Sequence, residues 1–494
     1  MIDGAHASVL QVVVLLVGAP LCFILARGIW AWGIAALSAS ASFVMACAVF
    51  IQVATGGALT YHLGGWEPPW GIEYKIDSLG ALMILLVSGI GTLVILGSRA
   101  SVEREIGASR MDLFYTAFLL CMAGAVGIIA TGDAFNLFVF LEINSLASYT
   151  LIAMGMDRRS LTSSFQYLIM GTIGATFIVI GIGFLYMMTG TLNMEDISIR
   201  LHEVENHRTI EAAFAFLIVG ISLKLALFPL HLWLPNAYTF APSVVSVFLA
   251  STATKVAVYV LIRFIYSVFG SDYSHNHMPF NTILAFLSVI AILIPSFSAL
   301  YQTHAKRLLA YSSLAQIGYI TLGISLATIP GLNASLLHIF THAITKGALF
   351  MSLACIATGL GSCKLHNMAG VSRLMPWSSA AFLIAGLSLI GLPLTSGFFS
   401  KWYLLQAILE QGEWWLALVV VLGSMLAAFY VWKVVETMYL RPVAAERAEV
   451  REAPWPMLMT TWILTLLSVA FGVFGQSLLF PWTQKAALML FGAG

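Results

Sequence analysis

Ionisable side chains lie inside long apolar runs of this sequence. They are one acid and four lysines: Glu142, Lys224, Lys255, Lys346 and Lys401. Placing such a charge in the middle of a membrane costs roughly 2.5–3.5 kcal/mol of insertion free energy. Charged residues are therefore found there when they face the protein interior, form ion pairs or conduct ions. A buried lysine can bind and release a proton near neutral pH when a neighbouring carboxylate moves toward it and away from it. Arginine keeps its charge, so Arg263 is predicted to have a structural or electrostatic role. One lysine–glutamate pair would indicate helix packing, but this many residues together favour proton transfer.

A second group of titratable side chains follows helical spacing. His338, His342 and Lys346 occur at positions i, i+4 and i+8, which places them on one helix face. Histidine titrates at about pH 6.5 and can both accept and donate a proton through its two ring nitrogens. The stripe therefore predicts a proton wire. A metal site would need a carboxylate beside the two histidines, and none lies close in the sequence, so neither a metal nor a cofactor is predicted.

Two of the apolar runs contain prolines and glycines that must bend or break a helix. The first, SLKLALFPLHLWLPNAYTFAP, contains Pro229, and the second, GLSLIGLPLTSGFFSKWYLL, contains Pro393. Broken helices at mid-depth are tolerated only where they are buried in protein or line a wet cavity. Each run carries a lysine beside its break, Lys224 in the first and Lys401 in the second. Paired broken helices in two halves of a chain point to inverted repeats and to the path of an ion.

The elements that must position these residues are membrane helices. Of the 494 residues, 60% are apolar and 9% are charged, and the net charge is +1, whereas soluble domains carry about 25% charged residues. This composition excludes a soluble enzyme, a nucleic-acid-binding protein and a secreted scaffold. The five cysteines show no metal-binding spacing and are predicted to be small core residues. We expect an all-α protein with fourteen apolar runs, each near the ~20 residues that a membrane helix needs: 7–26, 29–54, 79–98, 111–130, 134–154, 162–189, 211–236, 243–269, 280–301, 307–327, 332–360, 377–407, 414–440 and 455–481.

The distribution of basic residues predicts the orientation of these helices. With the N-terminus outside, thirteen lysines and arginines lie in inner loops and four in outer segments, as the positive-inside rule requires. We therefore expect a multi-pass protein of the cell (inner) membrane with both termini on the outer side. Near the inner end of their helix, Lys433 and Glu436 are predicted to reach toward the surface. A single membrane domain is expected, with three helices in 1–110, inverted five-helix repeats in 111–269 and 280–440, and a final helix in 455–481.

Five segments resemble a known family: GDAFNLFVFLEINSLASY, KLALFPLHLWLPNAYTFAPSVVS, AKRLLAYSSLAQIGY, HIFTHAITKGALF and GLPLTSGFFSKWYLL. Together they resemble the antiporter-like subunits of the Mrp cation/proton antiporters and of respiratory complex I, over most of residues 75–440. The form of the sequence around Glu142 looks like the D-type subunits of Mrp antiporters and their hydrogenase-associated relatives. The family often has an acid where this chain has His304, and a histidine where it has Tyr238.

The resemblance implies a role for each of the ionisable residues. Glu142 would pair with Lys224 across the first repeat, and Lys255 would pass protons toward the centre of the protein. His338, His342 and Lys346 would form the relay of the second repeat, and Lys401 would be its terminal titrating residue. Four further residues near the helix breaks are predicted to support this path: Pro229, His231, Tyr238 and Pro393.

The function that the resemblance implies is proton translocation within a multisubunit Na⁺(or K⁺)/H⁺ antiporter, in the D position. Its partners would be the A-, B-, C-, E-, F- and G-type Mrp subunits, with protons, Na⁺ or K⁺, and lipids, but no nucleic acid. One alternative is an ion-pumping subunit of an energy-converting hydrogenase or of a complex I-like NADH:quinone oxidoreductase. Another is a non-transporting scaffold or membrane sensor whose charges are only packing pairs. The coupled cation is left open.

Overall fold

The computed structural model describes residues 4–25, 27–204, 207–274, 279–443 and 450–492, and most of them are helical. The prediction of an all-α membrane protein is confirmed. Within these ranges, twelve helices are long and apolar enough to cross a membrane, or up to thirteen if a bent pair counts as one span. The two predicted runs that contain Pro229 and Pro393 are each divided into two shorter helices.

Three helices and one hairpin form the N-terminal part. They are α1 (Gly4–Leu25), α2 (Ile29–Gly56), β1 (Leu59–His62), β2 (Glu73–Ile76) and α3 (Ser78–Glu105). The two strands pair antiparallel, from Leu59 opposite Ile76 to His62 opposite Glu73. The all-α expectation did not include this hairpin, because strands of only four residues give no recognisable alternation. Asp77 begins α3 by accepting a hydrogen bond from the backbone N–H of Gly80 at 2.9 Å, as N-cap acids commonly do.

The predicted first repeat contains one interrupted helix. Its elements are α4 (Met111–Ala130), α5 (Ala134–Ala153), α6 (Arg159–Thr189), the short α7 (Met194–Leu201), α8 (His207–Leu225), α9 (Trp233–Phe240) and α10 (Ser243–Ile262). A π-helical turn, Arg263–Val268, continues α10. The break between α8 and α9 contains Pro229, which removes a backbone donor and cannot continue the helix, and Ala226, whose φ is +60°.

The predicted second repeat also contains one interrupted helix. Its elements are α11 (Phe280–Leu300), α12 (Ala305–Ser325), α13 (Ile329–Leu360), α14 (Pro376–Ile390), α15 (Ser396–Glu410) and α16 (Trp414–Tyr439). Gly391, with φ +94°, ends α14, and Leu394 in the following turn has φ +69°. Both breaks thus hold a non-glycine residue in the left-handed region, a conformation that surrounding packing must stabilise.

The C-terminal part differs from the prediction of one helix over 455–481. The chain forms α17 (Trp455–Val473), α18 (Gly475–Leu478) and α19 (Phe480–Leu490). Pro481 lies in the first turn of α19, where proline is tolerated. The end of α17 is pressed onto the break between α14 and α15, since a Cβ added at Gly472 would lie 2.4 Å from the backbone oxygen of Leu394.

Helices α10 and α13 form the centre of the molecule. They pack against each other, and α13 also contacts α3, α12, α14, α15, α17 and α19. Nearly every side chain of both helices is buried. Their interior position matters because α10 carries Lys255, and α13 carries His338, His342 and Lys346.

Candidate functional site

An ion pair joins α5 to α8 at one end of the polar region. The Lys224 ammonium lies 3.3 Å from the Glu142 carboxylate and donates a second hydrogen bond to the Ser145 hydroxyl at 2.7 Å. The Lys224 side chain is 6% exposed, whereas that of Glu142 is 26% exposed. Water can therefore reach the acid more readily than the lysine.

Close helix packing and the helix break fix the position of Lys224. A Cβ on Gly220 would lie 2.6 Å from the backbone oxygen of Gly174, so these two glycines bring α6 and α8 together. One turn later α8 ends, and the indole N–H of Trp233 donates to the backbone oxygen of Leu223 at 3.0 Å. The break thus leaves Lys224 at the last turn of a helix whose end is held from the other side of the interruption.

Lys255 on α10 is 1% exposed. Its ammonium donates to the backbone oxygen of Ala250 at 2.5 Å and to the hydroxyl of Thr254 at 3.3 Å. None of the ion pairs in the described ranges includes this lysine. A buried lysine held only by neutral oxygens can exist without its proton more easily than one paired with a carboxylate.

His338 on α13 is held between two other helices. Its Nδ1 lies 2.9 Å from the Ser400 hydroxyl of α15, and its Nε2 lies 3.0 Å from the Gln316 carbonyl oxygen of α12. Because that amide oxygen can only accept, Nε2 donates and Nδ1 accepts from the serine. The hydroxyl of Thr341 also donates to Ser400 at 3.0 Å. The imidazole therefore connects Ser400 on α15 to Gln316 on α12, accepting one hydrogen bond and donating the other.

His342 lies one turn further along α13, and its ring is parallel to that of His338. The two ring centroids are 5.9 Å apart with an interplanar angle of 10°. His342 is 3% exposed, and neither ring nitrogen has a hydrogen-bond partner within the described part of the chain. Buried polar atoms of this kind are normally paired with protein or ordered water, so water is the partner expected between His342 and the neighbouring lysines.

Lys346 completes the predicted stripe on α13 and is fully buried. Its ammonium donates to the backbone oxygen of Leu309 at 2.8 Å and to the hydroxyl of Ser312, both on α12. The ring of Phe350 lies 6.0 Å from the ammonium nitrogen. Like Lys255, this lysine has only neutral partners among the contacts found in the described residues.

Lys401 lies just after the second break, on α15, and its ammonium reaches back to the end of α14. It donates to the backbone oxygens of Leu389 at 3.1 Å and Ile390 at 3.0 Å, and to the hydroxyl of Ser424 on α16 at 3.1 Å. The ring of Tyr319 lies 4.8 Å from the same nitrogen. The lysine thus caps the negative end of a half-helix.

Four hydroxyl groups from four helices meet beside this break. They are Thr345 of α13, Ser388 of α14, Ser396 of α15 and Ser468 of α17, and each is almost fully buried. All six oxygen–oxygen distances among them are between 2.9 and 3.4 Å. Four hydroxyl protons shared among six contacts can be arranged in several ways, so the direction of hydrogen bonding in this hydroxyl cluster can reverse.

The supporting residues predicted from the sequence have simpler surroundings. Pro229 and Pro393 lie in the two breaks. His231 stacks on Phe228, with ring centroids 5.0 Å apart. Tyr238 donates to the backbone oxygen of Leu249 at 3.0 Å and is fully buried. Neither His231 nor Tyr238 is hydrogen-bonded to a relay lysine in the described residues, so both resemble packing positions.

Two ionisable side chains have surroundings that the sequence did not predict. Instead of reaching toward the surface, Lys433 donates to the backbone oxygens of Leu300 at 2.6 Å and Gln302 at 3.0 Å, which caps the end of α11. At the start of α12, burial and the neighbouring Lys306 lower the pKa of His304 to about 4. His304 is therefore neutral at pH 7, where the resembling family often has a charged acid.

A polar cavity of about 440 Å³ lies against the hairpin. Arg263 at its wall binds Asp77 through two hydrogen bonds, at 2.5 and 2.6 Å, and also donates to the Tyr259 hydroxyl at 2.9 Å. Burial alone would raise the pKa of the Asp77 carboxyl, but attraction and hydrogen bonds from Arg263 hold it below its usual value. Arg263 thus has the electrostatic, structural surroundings that the sequence predicted. The described residues contain no group of three histidine, cysteine or acidic side chains that could hold a metal ion.

Sequence reasoning missed the neutral members of this region: Ser145, Ser312, Gln316, Thr345, Ser388, Ser396, Ser400, Ser424 and Ser468. Serine and threonine are common in membrane helices, where they hydrogen-bond to their own backbone. Their positions in the sequence therefore gave no distinctive signal. Spacing could have identified some of them, since Thr341 and Thr345 lie one turn apart on α13, as do Ser396 and Ser400 on α15.

Comparison with known protein families gives one match over most of this region. The family described as "NADH:quinone oxidoreductase/Mrp antiporter, TM" matches residues 131–427. That range runs from just before α5 into α16 and includes Glu142, the lysines Lys224, Lys255, Lys346 and Lys401, and both histidines of α13.

Individual proteins of two kinds are similar to the chain over nearly its whole length. It is 40% identical to the N-type subunit of the NADH-quinone oxidoreductase of Desulforudis audaxviator, covering 90% of both chains. It is 29% identical to the D-type subunit of the Na(+)/H(+) antiporter of Bacillus subtilis, covering 97% of this chain and 96% of that one. Among solved structures, a chain of the membrane-bound sulfane sulfur reductase, an archaeal respiratory membrane complex, superposes with a TM-score of 0.89 at 29% identity, covering 98% and 97% of the two chains.

Proposed function

Because the chain belongs to the NADH:quinone oxidoreductase/Mrp antiporter transmembrane family, we propose that it translocates protons as one subunit of a hetero-oligomeric membrane complex. The observation that carries this proposal is the series of buried titratable side chains on α8, α10, α13 and α15. They are Lys224, Lys255, His342, His338, Lys346 and Lys401. Apart from Lys224, none is paired with a carboxylate among the described residues, so each can change its charge without leaving a buried carboxylate unpaired.

The proposed mechanism begins at the ion pair. Separation of Glu142 from Lys224 removes the charge that favours the protonated lysine, and Lys224 releases its proton. The change in charge acts on Lys255 on the adjacent α10, then on Lys346 and, through the histidines of α13, on Lys401. At about 4 Å, close to the 3.3 Å contact of the Glu142–Lys224 pair, one unit charge changes the energy of another by about 4 kcal/mol at an effective dielectric of 20, which is enough to change whether Lys224 holds its proton.

The complex we propose first is a monovalent cation/proton antiporter in which this chain occupies the D position. The similarity to the D-type antiporter protein of Bacillus subtilis over 97% of the chain supports it, as does the form of the sequence around Glu142. Its partners would be A-, B-, C-, E-, F- and G-type subunits, in the cell membrane, with both termini of this chain outside. This assignment makes the protein a secondary transporter component rather than an enzyme.

A second candidate is a redox-driven complex with the same proton path. The higher identity to an N-type subunit of an NADH-quinone oxidoreductase favours it, and so does the close superposition on a chain of the sulfane sulfur reductase complex. The difference lies in the energy source: an ion gradient in the first candidate, and electron transfer in subunits beyond this chain in the second.

Proton movement in everted vesicles that contain the full complex tests the proposal. We expect wild-type vesicles to couple proton movement to added Na⁺ or K⁺ without an electron donor, and Glu142→Gln to abolish it while the complex still assembles. Proton movement that requires an electron donor and ignores the cation would instead identify the redox-driven candidate. Unchanged proton movement in both Glu142→Gln and Lys224→Met would contradict proton translocation by this chain and leave the scaffold alternative.

A further inference from the structure

The surroundings of the Lys401 ammonium have the composition of a cation-binding site. Three oxygens, from Leu389, Ile390 and Ser424, lie 3.0–3.1 Å from its nitrogen, and the ring of Tyr319 covers it at 4.8 Å. We call these four groups the α14 cage. Lys401 is 5% exposed, and no ion pair in the described residues includes it.

Each group of the cage attracts positive charge for its own reason. The two backbone oxygens are terminal carbonyls of α14, where the helix dipole is negative. The break after Ile390 leaves them without the N–H donors that a continuing helix would supply. The face of a tyrosine ring also attracts cations. In broken membrane helices, the ends of half-helices and unwound carbonyls are the groups that coordinate transported cations.

We propose that the α14 cage is a binding site for a desolvated monovalent cation, which occupies the cage when Lys401 is neutral. The ammonium of Lys401 is in effect a tethered occupant of the same site. An ammonium group and K⁺ are similar in size, so K⁺ requires only a small inward movement of these oxygens, whereas Na⁺ would require a larger one. This inference rests on the proposed function and names the cation site in this chain.

Charge exchange follows from the shared oxygens. The N–H bond of Lys401 breaks and the nitrogen keeps the electron pair. The proton passes through water to Nδ1 of His338, whose lone pair the Ser400 hydroxyl must first leave; the imidazole packs against the same Tyr319 ring. The cage then accepts one cation. A proton returning to Lys401 restores the ammonium and expels the cation, because two positive charges cannot share one buried set of carbonyls. Proton and cation therefore alternate at one site.

The titratable groups that face the cage come from two helices. Tyr319 lies on α12, and His338 and His342 on α13 interact electrostatically with Lys401. Helices α14 and α16 contribute only backbone oxygens and the hydroxyl of Ser424 to the contacts of the ammonium. The charge of Lys401 therefore depends on the protonation of the two histidines and on the cation itself.

A purely structural cap is the alternative, and the chain offers a matched control for it. Lys433 also donates to two backbone oxygens at a helix end, those of Leu300 and Gln302. Its site is half-buried and includes no hydroxyl or ring among the contacts in the described residues. A free cation would remain hydrated there, so removal of Lys433 should not create a cation site.

The test is the thermal unfolding of the purified full complex in KCl, NaCl or choline chloride at equal ionic strength. For Lys401→Ala we expect K⁺ to raise the unfolding temperature by about 1 °C over choline at a concentration about tenfold above Kd. We expect no such difference for Lys433→Ala, and a smaller one for the double variant Lys401→Ala/Ser424→Ala. Equal responses of the Lys401 and Lys433 variants would overturn the proposal.

Wild-type complex provides a second measurement in case Lys401→Ala does not assemble. As the pH rises, Lys401 loses its proton and frees the cage, so stabilisation by K⁺ over choline should grow between pH 7 and pH 10. Absence of any cation-specific stabilisation over this range would also overturn the site. A complex that moves protons, and loses this ability in Glu142→Gln, but shows no cation-specific stabilisation would refute the cage while leaving the proposed function intact.

Discussion

Glu142 and Lys224 form an ion pair in the helical part of the molecule. Their contact at 3.3 Å lies between two helices, and the lysine is almost fully buried. Removing one partner of such a pair leaves an uncompensated charge, which costs more than losing both. The order of effects in single and double variants therefore separates the contribution of the pair to stability from its contribution to transport.

We predict that Lys224→Met lowers the free energy of unfolding by about 3 kcal/mol. The double variant Glu142→Gln/Lys224→Met should recover most of that loss, because no charge remains unpaired. Proton movement should stay absent in both. Thermal unfolding and vesicle assays on the same preparations measure the two properties. Glu436→Gln is the control, since its pair with Arg441 is exposed and should contribute little. Proton movement in the double variant at the wild-type rate would contradict the relay.

His338 and His342 are neighbours on one helix face, but only His338 has hydrogen-bond partners in the described residues. We predict that His342→Leu changes the free energy of unfolding by less than about 1 kcal/mol, because it removes no hydrogen bond between protein groups. It should nevertheless stop proton movement. His338→Leu should be destabilising as well, since it removes the hydrogen bonds of the imidazole to Ser400 and Gln316. A fully active His342→Leu variant would show that the proton path avoids this ring.

The sequence identified the titratable residues of this region because a charge within an apolar run stands out. It could not identify Gln316, Ser400 or the hydroxyl cluster. Their partners come from helices distant in the sequence: Ser468 meets Ser388 across 80 positions, and no local pattern records such a contact. A lysine in an apolar run can be recognised from the sequence as a group that could exchange a proton. Its hydrogen-bond partners are determined only when the helices pack.

At the scale of helices, the two breaks position the lysines of both halves. The second break depends on close contact between α14 and α15, since a Cβ added to Gly397 would lie 1.8 Å from the backbone oxygen of Ser388. The N–H of Gly397 also donates to the Ser388 hydroxyl at 3.2 Å. Any larger residue must therefore separate the two half-helices at the hydroxyl cluster, close to Lys401.

We predict that Gly397→Ala destabilises the protein by about 1–3 kcal/mol, the range found for overpacked interiors, and reduces proton movement strongly. Gly183→Ala is the control. Gly183 lies within α6, and a Cβ there would meet nothing within 4 Å, so alanine should be neutral or stabilising by up to about 1 kcal/mol. Thermal unfolding compares the two. Equal stability of both variants would mean that α14 and α15 tolerate separation.

Prolines and glycines made the two breaks predictable, because they act through local backbone geometry. The hairpin and the divided C-terminal segment were not predictable in this way. Strands of four residues give too little alternation to recognise, and the end of α17 at Gly472 is set by contact with the break between α14 and α15. The proposed division into two inverted repeats stays a prediction at this scale.

At the scale of the whole molecule, the two lysines beside the helix breaks, Lys224 and Lys401, have different kinds of partner. Lys224 contacts a carboxylate that is one-quarter exposed, whereas Lys401 contacts backbone oxygens, whose attraction is permanent. In the proposed mechanism, the charge of Lys224 therefore responds to Glu142, and the charge of Lys401 responds to the arrival of another cation. The first half would then receive a proton signal, and the second would exchange a proton for a cation.

This asymmetry has a direction across the membrane only if the chain is oriented as its basic residues predict. Residues 154–158, between α5 and α6, then lie inside, and the loop between β1 and β2 lies outside. Two exposed positions test this: Met156 in the first segment, 80% exposed, and Trp70 in the second, 89% exposed. Four of the five native cysteines are buried, so a Cys47→Ser background suits thiol labelling.

We predict that, in intact cells, a membrane-impermeant maleimide labels Trp70→Cys but labels Met156→Cys only after the membrane is permeabilised. The physical reason is the excess of lysine and arginine in the inner loops, thirteen against four, which opposes their transfer across the membrane. Everted vesicles should give the reverse pattern, and the Cys47→Ser parent should remain unlabelled in both. Labelling of Met156→Cys from outside in intact cells would mean that the chain has the opposite orientation in the membrane. The α14 cage would then face the opposite compartment.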